Sequence, residues 1–164
     1  MQSFEDILTN LSDLIDDKIC LNNDNIKDII NILDKLNIKV VMFNEDDMTH
    51  SLAINIFNIC IYFINKSIAI ENIPVHLICV RILTNTCHVY EQLGLIFSYT
   101  SRENLLLLCQ PIMNVKNIEL ADECLSFLNT ISERCHKALM DIQLFQHLSS
   151  KLSFFNLATQ NTAL

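Results

Sequence analysis

A helical periodicity over residues 118–155 sets the strongest limit on the fold. Apolar side chains recur there at steps of three and four residues, in one run that ends at Ile131 and in a second that begins at Ala138. That spacing is the 3.6-residue period of an amphipathic helix with one wide apolar face. Asn117 stands where an N-cap residue belongs, and residues 132–136 form a polar stretch between the runs. We therefore predict two antiparallel helices joined by a hinge at 132–136.

The shortage of turn residues extends this helical prediction to the whole chain. One glycine and two prolines among 164 residues are too few for a sheet protein with many tight turns, and 51% of the residues are apolar enough to build a core. The length suits one domain. We predict an all-α fold in which residues 1–155 form a single helical-repeat domain. Residues 156–164 have no periodicity and are expected to be a flexible C-terminal tail.

The remaining sequence predicts five earlier helices. They run from Ser3 to Ile19, from Ile26 to about Asn37, from Asn44–Asp47 to about Lys66, from Pro74 to about Leu93 with Gly94 behind it, and from near Ser101 to about Asn114. Residues 39–43 are interpreted as a short apolar linker. The run at 51–64 is apolar nearly all round, which predicts a central helix. It is shorter than a membrane span and contains two asparagines, so we expect no membrane span.

Two segments of the 118–155 region carry a resemblance to a known class of repeat. The sequences Leu-Ser-Phe-Leu-Asn-Thr-Ile at 125–131 and Leu-Phe-Gln-His-Leu at 144–148 resemble the middle and third helices of an armadillo/HEAT repeat. Helices starting near 25, 74 and 118 also recur at intervals close to the roughly 40–47 residues of that class. The resemblance implies a short α-solenoid of stacked helical hairpins with the first helix as an N-terminal cap. Members bind peptides or helices in a groove, here lined by helices near 47–66, 102–113 and 142–155.

Charge and cysteine content limit the compartment and the partners. The net charge is −8, and residues 1–48 hold nearly all of it, which disfavours direct binding of nucleic acid. Acidic residues within the first twenty exclude a secretory signal, and seven cysteines without one indicate free thiols in a reducing compartment. We therefore predict an intracellular protein, cytoplasmic or nuclear. Four thiols within apolar helices should act as small hydrophobic side chains: Cys60, Cys79, Cys109 and Cys124.

The sequence contains no recognisable catalytic or metal-binding motif. Cys87-His88 and Cys135-His136 are adjacent pairs, whereas zinc ligands are separated by two to five intervening residues. A phosphate loop needs several glycines, and Gly94 stands alone. We therefore predict no enzyme activity, no cofactor and no metal.

Two functions remain open. The first is a non-enzymatic interaction module, a scaffold or complex subunit, which binds a protein partner or a second copy through its C-terminal hairpin. Phe154 and Phe155 are adjacent, so a helix cannot turn both toward one core, and one is left for a neighbour. The expected partner-binding residues are Leu144, Phe145, Leu148, Leu152, Phe154 and Phe155. The alternative is a Bcl-2-like helical bundle of the viral-decoy type, in which a central helix at 51–64 supports a groove for a partner helix.

Overall fold

Every regular element in the described part of the chain is helical. The computed structural model describes residues 3–16, 21–22, 24–90, 92 and 102–141. These residues contain six α-helices, one short 3-10 turn and no strand, so the all-α prediction is confirmed. The elements are α1 (Phe4–Asp16), α2 (Ile26–Val41), the 3-10 turn (Glu45–Asp47), α3 (His50–Ala69), α4 (Ile73–Val89), α5 (Arg102–Met113) and α6 (Ile118–Asp141).

The chain divides into two compact units, Met1–Glu91 and Gln92–Leu164. The first contains α1 to α4, and the second contains α5 and α6. A single domain over residues 1–155 stays a prediction. The tail predicted at 156–164 lies outside the described residues.

Helices α1 and α2 form the first hairpin. A capping box begins α1, because the Ser3 N–H donates to the Asp6 carboxylate (2.9 Å) and the Asp6 N–H donates to Ser3 Oγ (3.1 Å). Phe4 is the first residue of α1, and Phe43 follows the end of α2. The centroids of their rings lie 4.5 Å apart. The start of α1 therefore lies beside the end of α2, and the two helices run antiparallel.

Helix α2 is longer than its sequence predicts. The expected end near Asn37, with an apolar linker at 39–43, is wrong, because α2 continues to Val41. Val40 is fully buried and extends the inward stripe of the helix by one more turn. No glycine or proline interrupts this stretch, so nothing in the backbone opposes the added turn.

Helices α3 and α4 form a second hairpin with a tight connection. The predicted start of this helix at Asn44–Asp47 is wrong, because residues 45–47 form the separate 3-10 turn. Helix α3 begins after Thr49, whose hydroxyl accepts from the Leu52 N–H (3.2 Å). At the far end, the Asn72 N–H donates to the Ser67 carbonyl (2.8 Å), and Glu71 takes a positive φ of 54°. This is a Schellman ending, with glutamate where glycine is usual.

The same connection starts α4. The Asn72 side chain accepts from the Val75 N–H (3.0 Å), so one residue closes α3 and caps α4. At the open end of the hairpin, His50 Nδ1 and the Tyr90 hydroxyl are hydrogen-bonded at 3.0 Å. Helices α3 and α4 are therefore antiparallel. Helix α4 ends at Val89 rather than near Leu93, and Gly94 lies outside the described residues.

Helix α4 is the most enclosed helix of the first unit. It packs against both α2 and α3, while α1 also packs against both of them. Its exposed positions are seven residues apart and form a single narrow stripe: Pro74, Arg81 and His88. Helix α3, predicted to be central, instead leaves Asn55, Asn58 and Asn65 exposed. Asn85 Nδ2 donates to Asn37 Oδ1 (2.8 Å), which joins the second halves of α4 and α2.

Helix α3 alone among the described helices is long and apolar enough to cross a membrane, by length and composition only. It has 20 residues, more than the apolar run in the sequence predicts, and 44% of its most apolar window is buried inside the protein. The same properties are found in core helices of soluble proteins, so this finding is weak support for a span.

The second unit contains the hairpin of α5 and α6. Asn117 caps α6 as predicted, accepting from the Leu120 N–H (2.8 Å). Phe127 and Leu128, from the apolar run that ends at Ile131, are buried, with 0% and 2% of their surface accessible. The predicted hinge at 132–136 is wrong, because α6 runs unbroken to Asp141. Polar side chains alone do not stop a helix, and this stretch has no glycine or proline.

Candidate interaction surface

The solvent face of α2 changes character along its length. Its exposed residues in the first three turns are polar: Lys27, Asp28, Asn31, Asp34 and Lys35. In the last turn the exposed residues are Ile38, Val41 and Met42, with 56%, 60% and 70% of their surface accessible. We call these three residues the α2 apolar patch.

The geometry of the helix explains why the α2 apolar patch faces outward. The buried stripe of α2 uses Ile29, Leu33, Leu36 and Val40, which follow the three- and four-residue steps of one helical face. Residues 38, 41 and 42 have the same mutual spacing but occupy a different side of the helix. A second apolar face cannot be buried by the contacts that bury the first, so it stays available to a neighbour.

A groove lies directly beside this patch. It has a volume of about 370 Å³ and is lined by Phe4, Lys39, Met42, Phe43 and Asp47. The contact between the two phenylalanine rings, tilted by 55°, brings the first turn of α1 against the end of α2. Met42 belongs to both surfaces, so the patch and this Phe4 groove are continuous.

The exposed residues that adjoin the groove lining in sequence are acidic. Asp47 lines it and Asp46 is exposed next to it in sequence, while Glu5 and Asp6 follow Phe4 on the exposed side of α1. Lys39 is the cation among the lining residues. Over residues 1–48 the sequence holds eleven acidic and four basic side chains.

The capping box keeps one of these carboxylates ionised. Hydrogen bonds from the Ser3 side chain and backbone lower the pKa of Asp6 below its ordinary value of 3.8. A carboxylate that accepts such bonds favours its charged form. Near neutral pH, the start of α1 therefore presents negative charge beside the Phe4 groove.

Buried thiols are the other chemically distinctive groups of the described residues. Burial raises the pKa of Cys60 well above 9.0, and the adjacent Cys79 raises it further. Burial also raises the pKa of Cys124, with smaller contributions from Cys109 and Glu123. These thiols are buried and form no disulfide, as predicted for small hydrophobic side chains. A protonated, buried thiol is a poor nucleophile and a poor metal ligand.

The pairs singled out as candidate metal ligands do not form a site in the described residues. Cys87 is buried whereas His88 is exposed, so their side chains face different surroundings. In the part of the chain that the structure describes, no three His, Cys, Asp or Glu side chains lie close enough together to hold a metal ion. The side chains of Cys135 and His136 lie outside the described set.

The predicted partner-binding residues cannot be placed. Leu144, Phe145, Leu148, Leu152, Phe154 and Phe155 all lie outside the described residues, and their role stays a prediction. The α2 apolar patch is not predicted from the sequence when residues 39–43 are interpreted as a linker. The signal was present, since Ile38, Val41 and Met42 repeat the spacing of a helical face one turn beyond the expected end of α2.

Comparisons with known proteins and structures found no similar protein. The chain matches no family model, no curated protein and no solved structure.

Proposed function

We propose that this chain is a non-enzymatic protein-interaction module, a scaffold or subunit of an intracellular complex that binds a peptide or helix of a partner. The observation that carries this proposal is the α2 apolar patch beside the Phe4 groove. Three neighbouring apolar side chains are more than half exposed there. Burying one such side chain fully contributes roughly 1.5–3 kcal/mol. A partner that covers the α2 apolar patch would therefore gain affinity from burying the exposed apolar area of these side chains.

We further propose that α1 to α4 are two stacked hairpins at the N-terminal end of an armadillo/HEAT-like solenoid. The hairpins are α1 with α2 and α3 with α4, so they begin one helix earlier than the starts near 25 and 74 that the sequence predicts, and α1 belongs to the first hairpin. The support comes from the pairing: α1 packs on α3, and α2 packs on α4. Equivalent helices also start at similar intervals, 46 residues from Phe4 to His50 and 47 from Ile26 to Ile73. These intervals fit the roughly 40–47-residue period of the class.

The absence of enzyme activity is part of the same proposal. Its support is the burial of Cys60 and Cys124, which raises the pKa of both thiols and makes them poor nucleophiles. The Bcl-2-like alternative has less support. That architecture surrounds its central helix with the others, whereas α3 keeps three asparagines exposed along one side.

The proposed function is tested by affinity capture from the cells in which the chain naturally occurs, with quantitative mass spectrometry. The bait variants are Val41→Ser/Met42→Ser and the matched control Ile70→Ser, which changes an exposed apolar residue (44% accessible) at the far end of α3. We expect a specific partner to be recovered with the parent and with the control, and to fall by about tenfold or more with the patch variant. Equal recovery of all proteins by the three baits contradicts the proposal.

The C-terminal interface predicted from the sequence needs its own test. We expect Phe154→Ser/Phe155→Ser to weaken association with a partner or a second copy, since each lost phenylalanine removes roughly 1.5–3 kcal/mol of apolar burial. Light scattering and partner capture provide the measurement, after circular dichroism has shown unchanged helix content. Unchanged association of a folded double variant rules out this interface and leaves the surface near α1 and α2.

A further inference from the structure

We infer, on the basis of the function proposed above, that the α2 apolar patch and the Phe4 groove together bind a short amphipathic helix with lysine or arginine beside its apolar face. The two surfaces form one continuous site because Met42 contributes to both. The inference adds the chemistry of the partner to the proposed function.

The shape of the site favours a helix. Ile38, Val41 and Met42 span one turn of α2, which at 1.5 Å per residue is about 6 Å along its axis. The groove continues this apolar surface past the end of α2, toward the first turn of α1. An exposed ridge next to a concave site suits the apolar face of a second helix, whose side chains at three- and four-residue steps pack beside the ridge and enter the groove.

The charge of the site selects a basic partner. Asp47 lines the groove and the exposed Asp46 precedes it, while the exposed Glu5 and Asp6 directly follow the lining residue Phe4. Residues 1–48 carry seven more acidic than basic side chains, eleven against four. Negative potential around an apolar site attracts positive side chains at the rim of the partner and speeds their encounter.

The same charge argues against two other occupants. A second copy that docked by the same surface would place one acidic rim against another, as two-fold symmetry requires. An anionic membrane surface would repel the acidic residues, since such surfaces bind basic clusters. A basic helix meets neither obstacle.

The test uses the full chain and a defined probe. The probe is a fluorescein-labelled peptide of leucine and lysine, with leucine at three- and four-residue steps so that one face is apolar. A scrambled peptide of the same composition and a version with glutamate in place of lysine are the comparisons. Fluorescence anisotropy then gives the dissociation constant of each peptide. We expect the amphipathic lysine peptide to bind at least about tenfold more tightly than either comparison.

Variants of the apolar surface locate the peptide. Val41→Ser/Met42→Ser should weaken binding of the lysine peptide about tenfold or more, because it removes exposed apolar area from the centre of the site. Ile70→Ser removes an exposed apolar side chain elsewhere in the first unit and should leave the affinity within about twofold. Equal losses with both variants overturn the inference.

Variants of the acidic rim test the charge selection. Asp46→Asn/Asp47→Asn should weaken binding by about threefold to tenfold and flatten its salt dependence. The matched control is Asp13→Asn/Asp16→Asn, which removes the same charge from exposed positions in the second half of α1. If the control weakens binding as much as the rim variant, the attraction is only that of net charge, and the inference is overturned.

The remaining outcomes separate this inference from the proposed function. If Val41→Ser/Met42→Ser abolishes partner capture while the lysine peptide fails to bind, the function stands and the basic-helix inference falls. If neither capture nor peptide binding responds to the patch, both fall. A dimer that the patch variant converts to a monomer assigns the site to a second copy, and preferential binding to anionic vesicles assigns it to lipid; either result overturns the inference.

Discussion

His76 is a buried ionisable side chain. It lies on α4 with 3% of its surface accessible, and its Nε2 atom has no hydrogen-bond partner. Burial lowers the pKa of His76 from 6.5 to about 4. The imidazole is therefore neutral in the folded chain throughout the range in which an exposed histidine gains a proton.

This lowered pKa predicts a pH-dependent stability. Between about pH 6.5 and pH 4, His76 is protonated in the unfolded chain but remains neutral in the folded chain. The free energy of unfolding should therefore decrease as the pH falls from about 7 to about 4. A separation of about 2.5 pKa units corresponds to at most about 3 kcal/mol. Urea unfolding of the parent and of His76→Leu across this range measures the contribution. Parallel stability curves for the two proteins would contradict the prediction.

Phe127 is the largest fully buried side chain among the described residues of the second unit, with 0% of its surface accessible. Phe127→Ala should lower the free energy of unfolding by about 3–5 kcal/mol, through lost burial and the cavity left behind. Chemical denaturation followed by circular dichroism provides the measurement. The control is Ser126→Ala at the exposed neighbouring position, which should change stability by about 0.5 kcal/mol or less. Similar stabilities for both variants would show that Phe127 is not in a packed core.

Sequence patterns predict burial well at the level of single residues. Phe127 and Leu128 lie inside, as do Cys60, Cys79 and Cys109, because each sits on the apolar stripe of its helix. His76 and Thr86 were not predicted to be buried. Polar side chains on a helix that is enclosed on nearly every side cannot be recognised from periodicity, since the enclosure is set by neighbouring helices and not by the sequence of α4.

The turn between α3 and α4 contains a residue with a positive φ, and this geometry predicts how substitutions there change stability. Glu71 holds a φ of 54°, a region that costs a residue with a Cβ atom roughly 1–2 kcal/mol relative to glycine. We expect Glu71→Gly to be about 1 kcal/mol more stable than Glu71→Ala. Comparing glycine with alanine removes the Glu71 side chain from both proteins, so its own interactions cancel. Thermal unfolding measures the difference, and a more stable alanine variant would refute the Schellman geometry.

Starts of helices were easier to predict than their ends. Ser3, Asn72 and Asn117 mark starts because each side chain accepts a hydrogen bond from the backbone of the first turn. Helix ends lack such a signal when glycine is absent. For this reason the predicted end of α2 is too early, and the predicted hinge at 132–136 lies inside α6. The missed turn of α2 is the one that carries the α2 apolar patch, so an error in one helix end also concealed the candidate site.

At the scale of the whole molecule, the sequence predicted the class of fold but not the pairing of helices. Periodicity shows which face of α2 is buried, yet it does not show that α1 and α4 cover that face. Pairing depends on contacts between residues far apart in the chain, and a single sequence carries no direct record of these. The division at Glu91 was also not predicted, because no glycine-, proline- or serine-rich linker marks it.

Each unit contains a pair of neighbouring buried thiols, Cys60 with Cys79 and Cys109 with Cys124. A small alkylating reagent reaches them only when the surrounding helices separate, so its rate measures how often each unit opens. We expect the two pairs to be labelled at different rates in mild urea, because each belongs to its own unit. Peptide mass spectrometry resolves every cysteine. Equal rates at all four would instead favour the single domain over residues 1–155.

The covalent modification state of these thiols also records whether the helices around them have been open. A modification found on Cys60 or Cys109 in protein taken from living cells cannot have been added to the closed form, where both are fully shielded from solvent. It must date from synthesis, before the helices had packed, or from a later excursion out of the native state. The covalent state of these cysteines would thus report how often a molecule had been open during its lifetime, long after it had closed again.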